Sequence, residues 1–436
     1  MRNSWRAAVG FAPVPATVAT MTPVAGAAHT GIGIVVLGAA VSLMATRSAH
    51  RGSPWRLALV PVGALVIATF AVLFHTAHAF GDAFFVLTVA TATAARALGP
   101  TAGRLGRALV LPLIGMLIAP VSPGAHPART LAWATLAVFV AETYVLVAQR
   151  ILGSAGAEEE PPSTAARSIH VWRGVQSALA LTVAFAIGQT LFAEHWAWTV
   201  ISAYTVGASA RSRGDALLKG AHRTVGALAG TLVATVLTLV IGHRPALVVV
   251  LLMVVLAGGF VLRERGYGWW AASVTAALAL LYALVGVTGT EVLPLLGTRL
   301  IAVVVGALCA ILPATLLAPI RTGAVLRKRT AESLRAVRDG LPERDFARAE
   351  RRIAALREAA APLLAIRRFH RRRELAWVEA LTGLLPDLRT LAQHPDDLVT
   401  HKRVSQTLRE VADDLRAATA EARGGARVGT PVPAEP

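Results

Sequence analysis

"SARSRGDALLKGAHRTVGALAGTLVATVL" occupies Ser209–Leu237. Its first half carries Arg211, Arg213, Lys219, His222 and Arg223, and from Thr224 to Leu237 there is no charge. Lipid rejects charge, and membrane proteins retain Lys and Arg at the cytoplasmic ends of their spans. The stretch therefore reads as a cytoplasmic loop, 211–223, feeding a membrane span. A second junction of this kind stands at Arg51-Gly-Ser-Pro-Trp-Arg56, again followed by an uncharged apolar run.

Working outward, apolar runs of this type fill most of the chain. Hydrophobic residues make up 55% of the 436 positions and mean hydropathy is +0.58, against about 45–50% apolar in a soluble domain. A net charge of +18 would suggest nucleic acid in a soluble protein. Here the arginines border apolar runs, so nucleic acid is not an expected partner and the lipid bilayer is. The single cysteine, Cys309, lies inside an apolar run. It excludes a disulfide framework and is expected to be a small buried hydrophobe.

Hydropathy places about twelve spans. Six lie near 7–28, 31–46, 57–75, 80–96, 107–121 and 130–149. Six more lie near 174–193, 196–210, 224–242, 245–262, 267–286 and 299–318. The loops between them alternate in charge, with 17 basic residues on one side and only Arg129, Arg244 and Arg299 on the other. The expected location is a bacterial cell membrane, multi-pass, with both termini cytoplasmic.

A shift of 167 positions places Arg56 on Arg223, Gly63 on Gly230, Arg96 on Arg263 and Gly99 on Gly266. Six spans per half is an even number, so the expected fold is all-α: a polytopic membrane protein of two parallel six-helix repeats with a cytoplasmic helical tail. The expected domains are a first repeat over 1–150, a linker over 151–171 rich in acid and proline, and a second repeat over 172–320. A helical domain over 321–424 and a disordered tail over 425–436 follow. Residues 321–436 hold 23 of the 43 Lys and Arg. There Ile353, Leu356, Leu363, Leu375, Val378, Leu385, Leu388, Val404, Leu408, Val411 and Leu415 recur at helical spacing, predicting three or four packed amphipathic helices.

Trp172-Arg173, "EHWAWTV" (194–200), "HRTVGALAG" (222–230), "VLRERGYGWW" (261–270), "GTRLIAVVVGALCAIL" (297–312) and, in the first half, "ARALGPTAGRLG" (95–106) resemble the fusaric-acid-resistance-like (FUSC) integral membrane transporters. That group includes the aromatic acid exporters and is related to the plant aluminium-activated malate transporters. The resemblance covers about residues 10–320. It implies a secondary, proton-motive-force-linked transporter that moves organic or aromatic anions out of the cell. Two other readings stay open: an anion channel of the malate-channel type, and a membrane scaffold whose tail recruits a partner.

Several residues carry candidate chemistry. Arg56 and Arg223 precede runs with small residues and could form a ring that binds a carboxylate, or they snorkel to lipid phosphate as anchors. Arg299 stands among apolar residues on the sparsely charged side, where a charge is costly unless paired or hydrated. Trp196 and Trp198 could stack an aromatic substrate or belong to an interfacial belt, as could Trp269 and Trp270. Glu142 is the carboxylate well inside a span, so it is either a proton carrier or half of an ion pair. His75, His78 and Asp82 share a face if one helix carries all three, but Gly81 and the expected span end argue against that, and no metal is expected. "RRFHRRR" (367–373) suits either anionic lipid headgroups, through Arg367, Arg368, Arg371, Arg372 and Arg373, or a solvated face. Homodimerisation is also open. No Walker sequence, nucleophile elbow or zinc-type cluster occurs, so neither an enzyme nor a cofactor is expected.

Overall fold

The computed structural model describes residues 8–27, 33–45, 60–118, 127–152, 164–208, 210, 212–241, 244–263, 266–284, 292–317, 322–343, 346–365, 373–394 and 396–427. Among them every regular element is helical. Two compact units emerge, one of residues 1–209 with 219–318 and one of 210–218 with 319–436. The segments expected as two membrane repeats fall in the same unit.

That first unit holds α1 (Pro13–Ala27), α2 (Gly33–Ala45), α3 (Val60–Thr76), α4 (His78–Ala94), α5 (Pro100–Ile118) and α6 (Pro127–Ile151). They are followed by α7 (Thr164–Leu191), α8 (Trp196–Gly207), α9 (Arg213–Ile241, in this unit from Lys219 onward), α10 (Pro245–Leu262), α11 (Tyr267–Leu284) and α12 (Val292–Leu316). These fall on the twelve expected segments. Five helical stretches are long and apolar enough to cross a membrane by themselves: Ala8–Ala27, His78–Leu98, Ala132–Ile151, Ile169–Leu191 and Gly297–Leu316. Four shorter apolar helices accompany them.

Three boundaries differ from expectation. The basic stretch 213–223 is not a loop but the first three turns of α9. Ser212 Oγ accepts the Asp215 backbone N–H at 3.3 Å, the Ser-x-x-Asp cap that starts a helix, and Ala216, Leu217, Leu218 and Lys219 all favour continuing it. The linker is shorter than 151–171, because α7 begins at Thr164. "TAARSIHVW" (164–172) has no glycine or proline to stop a helix, and the acid-proline run 157–162 lies outside the described residues. The last helix of the chain continues to Arg427, three residues into the segment expected to be disordered; 428–436 lie outside the described residues.

The 167-residue register recurs in the helices. Adding it to 78–94, 100–118 and 127–151 gives 245–261, 267–285 and 294–318, beside α10, α11 and α12. Helix pairs recur six elements on: α1 packs on α2, α2 on α6, α1 on α6 and α4 on α5, as α7 packs on α8, α8 on α12, α7 on α12 and α10 on α11. The turns match as well. Gly99 N–H donates to Arg96 O at 3.3 Å, and Gly266 N–H to Arg263 O at 3.3 Å. Gly99 has φ 133°, a region that favours glycine, and Pro100 then opens α5 at the position proline prefers. Where α4 meets α5, Gly106 touches Ala92; where α10 meets α11, Gly259 touches Ser273. Those pairs are related by 167, with the glycine on opposite helices. A small residue is needed at the crossing, and either helix can supply it.

Polar glue completes the first unit. Thr17 Oγ1 bonds Pro13 O at 2.7 Å and Ser42 Oγ at 2.8 Å, joining α1 to α2. Thr20 and Tyr144 hydroxyls, 2.8 Å apart, join α1 to α6. Gln176 Nε2 donates to Leu317 O at 2.5 Å, satisfying a carbonyl at the end of α12.

In the second unit α13 (Thr322–Glu343), α14 (Ala347–Ala365), α15 (Arg373–Gln393) and α16 (Leu398–Arg427) bury a core of Leu326, Val337, Ile353, Leu356, Leu381 and Val404 among others. The apolar residues expected to face inward all lie in or against this core. Arg373 spans two acids, its guanidinium bonded to Asp414 and 3.2 Å from Glu421. Trp377 Nε1 donates to Asp414 at 2.6 Å. Arg373 and then Trp377 hold the Asp414 carboxyl below the usual carboxylate range. Asp397 caps α16: its carboxylate accepts the Thr400 hydroxyl at 2.7 Å and the Thr400 and Val399 N–H groups at 3.1 Å, which lowers its pKa. Of the five arginines expected at lipid, Arg367, Arg368, Arg371 and Arg372 lie outside the described residues, and Arg373 is engaged with these acids.

Candidate functional site

Helix α8 has 12 residues, about 18 Å at 1.5 Å per residue. A bilayer core is about 30 Å thick, so α8 cannot cross it alone. Its counterpart six elements earlier, α2, has 13. Paired short helices in corresponding places of two halves are where transporters build substrate sites. Almost the whole circumference of α8 is buried: Trp198, Thr199, Val200, Ile201, Ser202, Ala203 and Val206. It packs on α7 and α12.

The apposition of α8 and α12 depends on a glycine. A Cβ on Gly306 would strike the Thr199 carbonyl and sit 2.8 Å from Ser202 Cβ, so the two backbones touch there. About two turns earlier on α12, the Arg299 guanidinium carbon lies 3.9 Å from the Trp198 ring centroid. Arg299 is 2% exposed and Trp198 5%. A cation over an indole face gains most where water is excluded. Thr199 Oγ1 and Ser202 Oγ are buried and make no hydrogen bond among the described residues. A buried hydroxyl left unsatisfied costs about 1–3 kcal/mol, and many threonines in this chain avoid that by bonding a carbonyl one turn back, as Thr190 does to Ala186 at 2.8 Å. A charge on α12 and an aromatic ring with two buried hydroxyls on α8 thus come from adjoining helices.

Trp196 extends the site. Its ring stacks on Phe185 of α7 with centroids 5.4 Å apart, and lies 5.0 Å from Phe74 of α3. Phe185 meets Phe85 of α4 edge-on at 5.5 Å. Beyond it, Gln189 Nε2 of α7 donates to Asp82 Oδ2 of α4 at 2.8 Å. This aromatic and polar row lies where α4, in the first half, packs on α7, in the second.

Of the residues singled out from sequence, Arg299 and Trp198 come together, while Trp196, two residues earlier on α8, packs on Phe185 and Phe74. Arg223 is also buried, 4% exposed, but on α9; its Nε makes no hydrogen bond among the described residues. It follows Gly220, which approaches Ile311 of α12. Arg56 lies outside the described residues. Glu142 is buried on α6, which packs chiefly on α1, α2 and α3. His75 closes α3 while His78 and Asp82 belong to α4, so no single helix carries the three. No group of three metal-binding side chains occurs among the described residues. Trp269 and Trp270 point opposite ways, 58% and 7% exposed. Thr199, Ser202, Phe185 and the Asp82–Gln189 pair were not singled out. The shortness of span 196–210 was the one sequence signal for the first two.

The family model for fusaric acid resistance protein-like proteins matches residues 179–312. That segment, less than half of the chain, is similar to the fusaric acid resistance protein-like family. It takes in Phe185, Gln189, Trp196, Trp198, Thr199, Ser202, Arg223 and Arg299, and leaves Asp82 and Glu142 outside. No curated protein and no solved structure matches the chain. The match over 179–312 and the long apolar helices support a multi-pass membrane location.

Proposed function

We propose that this protein exports organic or aromatic acid anions across a bacterial cytoplasmic membrane, as a secondary transporter linked to the proton motive force. Both termini and the tail unit lie in the cytoplasm in this reading, following the basic loops. The observation that carries it is the Arg299 guanidinium of α12, buried on the Trp198 ring of α8, the helix that also holds the buried hydroxyls of Thr199 and Ser202. The planar guanidinium fork can bind an arriving carboxylate through bidentate hydrogen bonds. The Trp198 indole beside that guanidinium offers apolar contact to an aromatic body. The name of the matched family suggests a first probe, fusaric acid, a pyridine carboxylate.

The test is export of fusaric acid from preloaded cells lacking other exporters. Arg299→Gln removes the charge and keeps hydrogen bonding. It is expected to weaken anion binding by about 1.5–3 kcal/mol, the scale of a charged hydrogen bond, with Arg299→Lys intermediate because Lys lacks the planar fork. Normal export by well-inserted Arg299→Gln protein refutes the site.

A further inference from the structure

Two carboxylates sit in the described helices of the first unit, Asp82 on α4 and Glu142 on α6. Their settings differ. Glu142 is buried within the first half. Asp82 is half-buried and stands on the seam between the halves, where its Oδ2 accepts the Gln189 amide of α7 at 2.8 Å. Its Oδ1 is buried and makes no hydrogen bond among the described residues. With Oδ2 held by Gln189, Oδ1 is the oxygen left to accept a proton.

We propose that Asp82 is the proton-carrying group of this transporter, with Gln189 as the residue that holds it across the seam. The inference rests on the export reading above and names its coupling site. In each cycle Oδ1 accepts one proton from water on the face opposite the basic loops. The neutral acid keeps Gln189 through Oδ2, and the proton leaves to the other face, regenerating the carboxylate. Because α4 and α7 belong to different halves, the bond at Asp82 is made or strained as the halves shift, so its protonation state and their arrangement are linked. The aromatic row from Phe85 through Phe185 to Trp196 lies against this seam, placing proton and substrate groups on shared helices.

The groups around Asp82 are few. His78, exposed, is one turn earlier on its own helix, and its ring meets Phe74 at 4.9 Å. From α7 the group facing it is the uncharged Gln189. Glu194, exposed, and His195 belong to the turn between α7 and α8. On α3 the titratable residue is His75, whose side chain lies outside the described residues. Arg173 of α7 and Arg104 and Arg107 of α5 sit at the other ends of their helices, close to the end of α4 that Arg96 follows. Among the described residues the cation whose charge reaches Asp82 is His78, and no salt bridge to Asp82 forms there.

Two measurements on full-length protein test this. In proteoliposomes, fusaric acid accumulation is driven by a pH gradient, and separately exchanged by counterflow without one. For one proton exchanged, wild type and Glu142→Gln should accumulate about tenfold per pH unit. Asp82→Asn should show no gradient-driven accumulation while counterflow continues at the wild-type rate, and Asp82→Glu should restore coupling. Gradient-driven accumulation by Asp82→Asn overturns the proposal, as does its transfer to Glu142→Gln. The second measurement needs no substrate: an infrared carboxyl band that titrates in wild type and Glu142→Gln and is missing in Asp82→Asn. If wild type does not move fusaric acid yet this band behaves as stated, the fusaric acid reading fails and the proton site stands. Persistence of the band in Asp82→Asn overturns the site whatever is transported.

Discussion

Gly306 gives the sharpest test of how the candidate site is assembled. In an isolated helix Gly→Ala gains about 0.8–1 kcal/mol. At Gly306 the added methyl would meet the Thr199 carbonyl and stand 2.8 Å from Ser202 Cβ. Ordinary contact between such carbons begins near 3.5 Å, so α8 must retreat by roughly 0.7 Å or more. The obstacle is largely backbone and cannot rotate away. Overpacking of this kind costs about 1–3 kcal/mol, which outweighs the propensity gain. Gly297 lies on the same helix, and a Cβ there meets nothing within 4 Å. Gly297→Ala should therefore keep its propensity gain. Thermal unfolding of the purified protein in detergent should rank Gly297→Ala at or above wild type and Gly306→Ala below it, the two variants differing by about 1–3 kcal/mol. Gly306→Ala should also lose export, because the Thr199 and Ser202 hydroxyls move with α8. Equal stability of the two variants would refute close backbone contact as the basis of the site.

Other outcomes follow from the same contacts. A cysteine at exposed Arg213, with buried Cys309 replaced by Ala, should resist a membrane-impermeant thiol reagent in intact cells and react after lysis; labelling in intact cells contradicts a cytoplasmic basic segment. The helical tail unit should lose stability in acid. Asp397 and Asp414 have folded pKa values lowered from 3.8, so their contribution is present above about pH 4 and is lost as pH falls through the lowered values. The acid limb of a melting curve should flatten in Asp414→Asn, and an unchanged limb would show that the Arg373–Asp414 pair is solvent-screened and inert. Ser212→Ala should cost about 1 kcal/mol through loss of the α9 cap, and hydrogen exchange at residues 213–217 should rise; protection equal to wild type would exclude the cap.

Hydropathy and charge are properties of consecutive residues, so the chain alone places twelve helical segments, sets Arg and Lys at alternate junctions and marks the 167-residue recurrence through Arg96, Gly99, Arg263 and Gly266. The inward residues of the tail helices are legible for the same reason, since 3.6-residue periodicity is local. The start of α9 at Arg213 was legible too, through Ser212 and Asp215, but a run of arginines resembles a loop when only hydropathy is weighed. What needed the tertiary structure was which helix faces meet. Arg299 reads as one exposed-side arginine among three until α12 is packed against α8 and its guanidinium lies on Trp198, a hundred positions earlier. Trp269 and Trp270 are equivalent in the sequence and opposite in the fold, because neighbouring residues on a helix point about 100° apart. Asp82 and Gln189 come from different halves, and neither carries a local sign of the other. Their hydrogen bond exists because the α4–α7 crossing brings them together, and a crossing is set by side-chain packing over both helices at once rather than by any one stretch of chain.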